Sequence, residues 1–273
     1  GGWSHDTLTE DLDLSYRAQL AGWRLVFDPA VVVPAELPES MRAFRSQQHR
    51  WAKGALQTAR KVLPRLARAP LPWHIKQEAF VHLTANVTYP LLLALEALLV
   101  PVLFAARTRP TAWVLALNIA VLAIGTLPVA MFLARGQRLA RQRGARVLVD
   151  VLGALLLCGG LSWHLACAVV EGLSGATGEF VRTPKTGSGT RQALRHTGAR
   201  YASEWVRPVW EGAPELALAV LFTLAASWAA CSGWLTAAPY MLLLSAGLAW
   251  VGLATRHRPR LGACAAEYDI RAS

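Results

Sequence analysis

Stretches of about twenty apolar residues recur along the chain, and they restrict its fold more than any other feature. An α-helix needs about 20 apolar residues to cross the hydrocarbon core of a bilayer, so each stretch is a candidate transmembrane helix. The apolar stretches lie at about residues 81–106, 111–134, 147–172, 215–235 and 237–255. The sequence therefore predicts an α-helical multi-pass transmembrane domain over residues 66–255.

The composition excludes several other classes of protein. Hydrophobic residues make up 54% of the 273 residues and charged residues 16%, which is too apolar for an ordinary soluble domain. The net charge of +11 comes from basic residues that cluster between the apolar stretches, where they would meet anionic lipid headgroups. We therefore expect a lipid bilayer as a partner, and no nucleic acid. The four cysteines form no CxxC pair, so neither a disulfide framework nor a metal site is predicted.

Arginines between the apolar stretches indicate how the chain threads the membrane. Residues 135–146 and 182–207 are both rich in basic residues, and the positive-inside rule places both segments in the cytoplasm. The stretch 147–172 between them would then be bent or re-entrant, with a break at Gly159-Gly160. Four crossings would leave residues 256–273 as a basic cytosolic tail. Because long loops can escape the rule, a complete fifth crossing stays open.

A helix is predicted near the start of the chain. Thr9 can cap it, Glu10 and Asp11 occupy its first turn, where the helix dipole favours anions, and it runs to about Leu20 before Gly22 ends it. By itself, the sequence Thr9-Glu10-Asp11 indicates no more than a capped helix start.

The segment that follows predicts two strands and a long helix. Residues 23–27 and 31–33 have the composition of strands, and a helix is predicted from about Pro38 to Val62. Such an α/β pattern needs partner strands to cover its apolar faces. Since the chain opens at Gly1 with neither an initiator Met nor a signal peptide, we expect residues 1–65 to be the C-terminal part of a larger domain.

The second predicted helix carries polar and aromatic residues that suit a sugar. Within residues 47–51, QQHRW, the side chains of Gln47, Arg50 and Trp51 share one face with Gly54 at spacings of three and four residues. Tryptophan can stack on the apolar face of a pyranose, while arginine and glutamine donate hydrogen bonds to hydroxyls or diphosphate oxygens. The pentapeptide alone is equally consistent with an interfacial helix that has an aromatic anchor and snorkelling cations.

Together, the two motifs resemble those of the glycosyltransferase family 2 synthases of cellulose, mannan and related β-glycans. The family pattern is two upstream aspartate motifs, then TED, then Q(Q/R)xRW. The resemblance implies that the chain is an α/β remnant of a GT-A domain, its C-terminal part in residues 1–65, followed by the helical transmembrane domain. The similarity runs through residues 1–3, 9–13, 18–23, 36–38 and 44–51.

The resemblance also implies roles for individual residues. Asp11 would be the general base for the acceptor hydroxyl, and Trp51 would be the platform on which the acceptor sugar stacks. The residues that would bind the acceptor or the donor diphosphate are Glu10, Gln47, Gln48, Arg50 and Trp51.

A third match lies in the segment 175–213. The sequence FVRTPKTG is similar to the FxVTxK gating loop of cellulose synthases, with Phe180, Thr183 and Lys185 at the family spacing. Such a loop lays an aromatic ring and a hydroxyl over the nucleotide while its lysine meets phosphate, and so excludes water. Arg182 stands where the family has valine, and the segment could instead be a cytosolic connector rich in glycine and threonine.

The activity implied is the inverting transfer of a sugar from a nucleotide sugar to a growing β-glycan. The protein would extrude this glycan across the inner (cytoplasmic) membrane, with its catalytic face in the cytoplasm. A divalent cation, Mg²⁺ or Mn²⁺, would neutralise the leaving diphosphate, and its DxD ligands would lie before Gly1. The fragment alone is then expected to be inactive. Transfer of one sugar to a lipid carrier and a non-catalytic membrane subunit stay open as alternatives, as do export partner proteins.

Two polar residues inside apolar stretches admit more than one role. Glu96 either lines a glycan channel or has a structural partner. His164 is expected to be a satisfied polar residue rather than a metal ligand, since no second ligand stands at helical spacing.

Overall fold

The computed structural model describes residues 2–33, 35, 37–38, 40–105, 111–140, 142, 144–175 and 211–257. The three residues predicted for a gating loop, Phe180, Thr183 and Lys185, lie outside the described residues. The described chain is α-helical, with a short 3₁₀ turn at Ala85–Val87. Its helices are α1 (Glu10–Leu20), α2 (Met41–Arg68), α3 (Trp73–Thr84), α4 (Thr88–Ala105), α5 (Ala112–Leu139), α6 (Ala145–Gly160), α7 (Ser162–Ser174), α8 (Ala213–Cys231) and α9 (Ala238–Arg256).

No strand occurs within the described residues, so the predicted α/β remnant of a GT-A domain is wrong. Residues 23–33 form an irregular segment instead, in which Phe27 and Val32 are 88% and 84% exposed. The backbone turns at Asp28, whose Oδ1 accepts the N–H of Ala30 at 2.9 Å. A strand is held by hydrogen bonds to a neighbouring strand, so β-branched composition cannot impose one where no described strand lies alongside.

The two helices predicted before the apolar stretches are both present. α1 has three acidic residues in its first turn. Gly22 follows it with a φ of +90°, a left-handed conformation that glycine adopts without strain. α2 begins after Ser40, whose Oγ accepts the N–H of Ala43 at 3.2 Å, and it continues to Arg68, beyond the predicted end at Val62.

Four helical stretches within the described residues are long and apolar enough to cross a membrane: residues 73–105, α5, α8 and α9. They coincide with four of the predicted apolar stretches. The remaining stretch is divided into α6 and α7, which meet at Leu161 with a bend of 50°. The break predicted at Gly159-Gly160 is therefore present, and the described chain has five candidate spans if the bent pair counts as one.

Close backbone approaches bring the two halves of the bent pair against different partners. α6 packs on α9, and a Cβ added to Gly160 would clash with the carbonyl oxygen of Gly247. α7 packs on α2, and a Cβ added to Gly172 would lie 2.8 Å from the carbonyl oxygen of Lys53. Small residues at a helix crossing let the backbones come this close. The motif-bearing helix α2 is thus packed directly on the helical domain.

Candidate functional site

The Thr9-Glu10-Asp11 motif docks directly on the helix that carries the QQHRW motif. Thr9, immediately before α1, lies against the buried Gly54 of α2. A Cβ at Gly54 would lie 2.6 Å from Thr9 Cγ2 and 2.8 Å from Thr9 N. Such distances are too short for any side chain, so the contact requires glycine. Two motifs that are far apart in sequence are therefore brought together.

Polar contacts hold the start of α1 in this position. The hydroxyl of Thr9 faces α2 and makes no capping hydrogen bond to α1, so the predicted side-chain cap is wrong. The Thr9 hydroxyl contacts the Thr58 hydroxyl of α2 instead of a backbone N–H of α1. The contacts are Leu8 N to Gln57 Oε1 at 2.9 Å, Thr9 Oγ1 to Thr58 Oγ1 at 3.3 Å, and Lys61 Nζ to Asp13 Oδ1 at 3.0 Å.

Exposed residues of both motifs flank the contact between Thr9 and Gly54. Asp11 follows Thr9 by two positions and is exposed, and its Oδ1 accepts the backbone N–H of Leu12 at 2.8 Å. Trp51 precedes Gly54 by three positions and is 49% exposed. A carboxylate and an indole are thus both accessible to a substrate near this contact.

The remaining motif residues differ in position. Gln47 and Arg50 are partly buried and lie on the Trp51 face of α2, as the helical spacing predicts. Gln48 is also partly buried, and it precedes Trp51 by three positions, a spacing that makes the two side chains neighbours on the helix. Glu10 is partly buried in the first turn of α1.

A buried polar cluster on another face of α2 was not predicted from the sequence. Arg45 Nη2 donates to Glu215 Oε1 at 2.5 Å, and Arg45 Nη1 donates to Thr255 Oγ1 at 2.8 Å. Arg45 Nη2 also lies 3.2 Å from His164 Nδ1, which must accept because arginine can only donate. Burial lowers the pKa of Arg45, and the charge of Glu215 opposes that change. We call these four residues the Arg45 cluster.

Two further ion pairs extend along the same side of α2. Lys53 Nζ lies 2.9 Å from Glu171 Oε2, and Arg42 Nε lies 3.0 Å from Glu211 Oε2. His49 Nε2 lies 3.5 Å from Glu171 Oε1. The pKa of His49 is lowered by burial, and the charge of Glu171 opposes this change only in part. We call Arg42, Arg45, His49 and Lys53 the basic stripe. Its spacing of three, four and four residues was visible in the sequence, whereas its distant acidic partners were not.

A cavity of about 470 Å³ lies beside the start of α1. Within it, Lys61 Nζ lies 2.8 Å from Asp6 Oδ1, and this hydrogen bond lowers the pKa of Asp6 to about 2. Lys61 is thus shared between Asp6 and Asp13 and is not an isolated cation in this cavity. The lining residues are His5, Asp6, Thr7, Leu8, Gln57, Arg60, Lys61 and Gly175.

Glu96 is fully buried in α4. It shares a helix face with Leu92, Leu99 and Leu103, which pack in an apolar cluster with α8 and α9. Neither carboxylate oxygen has a hydrogen-bond partner within the described residues. These observations support neither the channel-lining role nor the structural pairing between which the sequence left a choice.

We expect Glu96→Met to stabilise the helical domain. An unsatisfied buried polar group costs about 1–3 kcal/mol, and the flexible methionine side chain can fill the space without a charge. The thermal midpoint of the detergent-solubilised protein should therefore rise. Leu103→Ala, on the same face, is the control and should lower the midpoint by creating a cavity. A lower midpoint for Glu96→Met would show that the carboxyl group has a partner.

No group of three or more His, Cys, Asp or Glu side chains in the described part of the chain could hold a metal ion. The described residues supply no ligand set for the divalent cation that the family resemblance implies, whose DxD ligands are expected before Gly1. His164 Nδ1 accepts from Arg45 and its ring packs against that of His49, with ring centroids 4.9 Å apart. Its buried Nε2 has no hydrogen-bond partner within the described residues, so the expected full satisfaction of His164 is only half met.

Comparison with known proteins gives matches to glycosyltransferases. Residues 1–133 match the family described as glycosyl transferase family group 2. Glucomannan 4-beta-mannosyltransferase 1 of Oryza sativa subsp. japonica is 47% identical over 68 residues, which are 25% of this chain and 13% of that protein. Glucomannan 4-beta-mannosyltransferase 2 of Arabidopsis thaliana is 44% identical over 68 residues, with the same shares. No solved structure gives a significant match.

The candidate spans support a membrane protein, and the two joined motifs lie in the part of this chain before those spans. The match of residues 1–133 to the family group 2 of glycosyl transferases confirms the resemblance identified from the two motifs. The match spans only 13% of the length of these curated relatives.

Proposed function

We propose that the complete protein is an inverting glycosyltransferase that adds sugars from a nucleotide sugar to a growing β-glycan and extrudes this glycan across the inner membrane. The observation that carries the proposal is the contact between Thr9 and Gly54, which joins the Asp11 motif to the helix of Trp51. The similarity to glucomannan 4-beta-mannosyltransferases favours a mannan-like or cellulose-like product.

Asp11 is the proposed general base. Its carboxylate takes the proton of the acceptor hydroxyl while the hydroxyl oxygen attacks the anomeric carbon of the donor. The bond between the anomeric carbon and the diphosphate oxygen breaks, and the nucleoside diphosphate leaves with the electron pair. Two features of Asp11 suit it to this role: it is exposed, and it lies in the first turn of α1, where the helix dipole favours an anion.

Trp51 is the proposed platform for the acceptor. Its half-exposed indole offers a flat face to a pyranose, and Gln47 and Arg50 on the same face of α2 can donate hydrogen bonds to sugar hydroxyls or phosphate oxygens. Holding the acceptor in one orientation next to the base is what accelerates a transfer between two bound substrates.

Product analysis tests this function against its alternatives. The complete protein is reconstituted in vesicles and supplied with labelled nucleotide sugars. Label in a long β-linked glycan supports the proposal. Label in the lipid extract alone would show transfer to a lipid carrier, and a folded protein that transfers no sugar would be a non-catalytic membrane subunit. Either of these two results overturns the polymer-forming function.

We expect Gly54→Ala to separate the two motifs and to impair sugar transfer in the complete protein. The added methyl group would lie within 3 Å of Thr9 backbone and side-chain atoms, so the start of α1 must shift. Overpacking of this kind costs about 1–3 kcal/mol. Thermal stability and transfer rate are measured together. The control is Gly153→Ala, where a Cβ meets no atom within 4 Å and alanine suits the helix better. Wild-type behaviour of Gly54→Ala would show that the contact is not needed.

We expect cysteines at Ala145 and Ser174 to be labelled only from the cytoplasmic side, in a background without the native cysteines. Arginines precede Ala145, and Ser174 ends α7, whose Glu171 is bound to α2. An impermeant maleimide is applied to vesicles of either orientation. A cysteine at Leu235, between α8 and α9, is the control for the opposite side. Labelling of Ala145 and Ser174 positions from opposite sides would show that the bent pair crosses the membrane.

A further inference from the structure

The basic stripe joins α2 to three separate parts of the helical domain. Glu171 lies near the C-terminal end of α7, and it pairs with Lys53 and His49. Glu211 precedes α8 and Glu215 lies in its first turn. The third part is the C-terminal end of α9, where Thr255 accepts from Arg45. The C-terminal end of α7, the N-terminal end of α8 and the C-terminal end of α9 therefore all contact one side of α2.

The stripe lies roughly opposite the face of α2 that carries the sugar-binding motif. At about 100° per residue, Arg45 and His49 fall far around the helix from Gln47, Trp51 and Gly54. Because α2 moves as a rigid helix, a shift of the side that carries the basic stripe also shifts the face that carries Trp51.

The Arg45 cluster is the most deeply buried part of this junction. The side chain of Glu215 is fully buried and that of Arg45 is 10% exposed, so the position of the pair is fixed by directed bonds with little competition from water. The guanidinium group of Arg45 donates hydrogen bonds to α7, α8 and α9 at the same time. Replacing a buried ion pair by apolar residues of similar size is often neutral or stabilising. A contribution to stability therefore does not explain why a charged pair occupies this position.

We propose that Arg45 and Glu215 are positioning residues for sugar transfer, and that they set the placement of α2, and so of Trp51, against the helical domain. This inference rests on the proposed function for its catalytic part. The placement of α2 is a separate claim, and it is tested without any activity.

Thiol labelling tests the placement. Ala52 is 2% exposed and packs with Leu161 at the junction of α6 and α7, Leu165 of α7 and Val251 of α9. In a background without the native cysteines, Ala52→Cys should be protected from a maleimide. Adding Glu215→Gln leaves Arg45 without its counter-charge and should raise the labelling rate about fivefold or more, as expected when a packed element opens locally. The control is Arg65→Gln, which removes an exposed cation from the same helix and should change nothing.

Transfer kinetics in the complete protein test the positioning role. In the double variant Arg45→Met/Glu215→Met, the protein should fold with unchanged or higher thermal stability. Its kcat per folded molecule should still fall about tenfold or more, while the KM for the donor stays within about twofold, because small misplacements of a binding surface reduce the rate strongly. Glu215→Asp, which keeps the charge, should restore part of the rate relative to Glu215→Gln.

Two results would overturn the inference. Wild-type kcat in the double Met variant would make the pair a structural feature without a positioning role. Unchanged labelling of the cysteine at position 52 in Glu215→Gln would show that the pair does not hold α2 in place. If the complete protein transfers no sugar but labelling responds as expected, the proposed function fails and the placement of α2 by Arg45 and Glu215 stands.

Discussion

Asp11→Asn is expected to reduce sugar transfer by the complete protein about 100-fold or more while leaving the amount of folded protein unchanged. A positioned general base contributes about 10²–10⁴ in rate, and an amide cannot accept the proton. The start of α1 should persist, because the Oδ1 of asparagine can still accept the N–H of Leu12, which lies 2.8 Å from Asp11 Oδ1. The initial transfer rate is measured per folded molecule, with folding assessed by gel filtration in detergent.

A second exposed carboxylate serves as the matched control for Asp11. Asp28 lies in the irregular segment after α1, where its Oδ1 supports a turn through Ala30. Asp28→Asn should transfer sugar at nearly the wild-type rate, since it removes an equivalent charge outside the α1 to α2 contact. Retention of more than about a hundredth of the wild-type rate by Asp11→Asn would remove Asp11 from the role of base.

Trp51→Leu is expected to abolish most elongation while hydrolysis of the donor by water continues. Leucine is apolar but has no flat face to lie along a pyranose, so the acceptor is no longer held in line with the donor. Trp51→Phe should be intermediate because it keeps a smaller ring. If Trp51 only anchors an interfacial helix, leucine should serve nearly as well, because burying either side chain contributes roughly 1.5–3 kcal/mol.

Trp73 provides the control for this substitution. It begins α3 and is 75% exposed, so it is a second accessible tryptophan that lies outside the proposed site. Trp73→Leu should leave the ratio of glycan to released nucleoside diphosphate unchanged. Equal loss of glycan and of nucleoside diphosphate in Trp51→Leu, or normal glycan from that variant, would contradict the acceptor-platform role.

Most helices of this chain could be predicted from local signals, whereas the two predicted strands are absent from the described residues. The apolar runs, the arginines around them and Gly159-Gly160 are all local, and they predicted the candidate spans and the break between α6 and α7. Residues 23–27 and 31–33 have strand composition, but a strand depends on a partner elsewhere. No such partner lies within the described residues, and the side chains of the segment are exposed instead.

The candidate site was predictable only in part for the same reason. The helical period places Gln47, Arg50, Trp51 and Gly54 on one face, and this needs no knowledge of the fold. The contact between Thr9 and Gly54 could not be predicted in this way, because it depends on how α1 packs on α2. In this contact Thr9 does not make its predicted capping hydrogen bond.

The Arg45 cluster shows the same limit more strongly. Arg45 and Glu215 are 170 positions apart in sequence. Neither residue alone signals the other, because an arginine on an amphipathic helix is usually solvated. Only the packing of α7, α8 and α9 around α2 turns these separate charges into a pair.

Simultaneous measurement of glycan formation and nucleoside diphosphate release decides whether the motifs joined at Thr9 and Gly54 form one transferase site. The measurement uses vesicles that carry the complete protein and a saturating nucleotide sugar. We expect about one nucleoside diphosphate for each sugar added, loss of sugar transfer in Asp11→Asn, and persistence of diphosphate release without glycan in Trp51→Leu. A folded wild-type protein that releases no diphosphate from any donor, or wild-type glycan yields from both variants, would contradict this site.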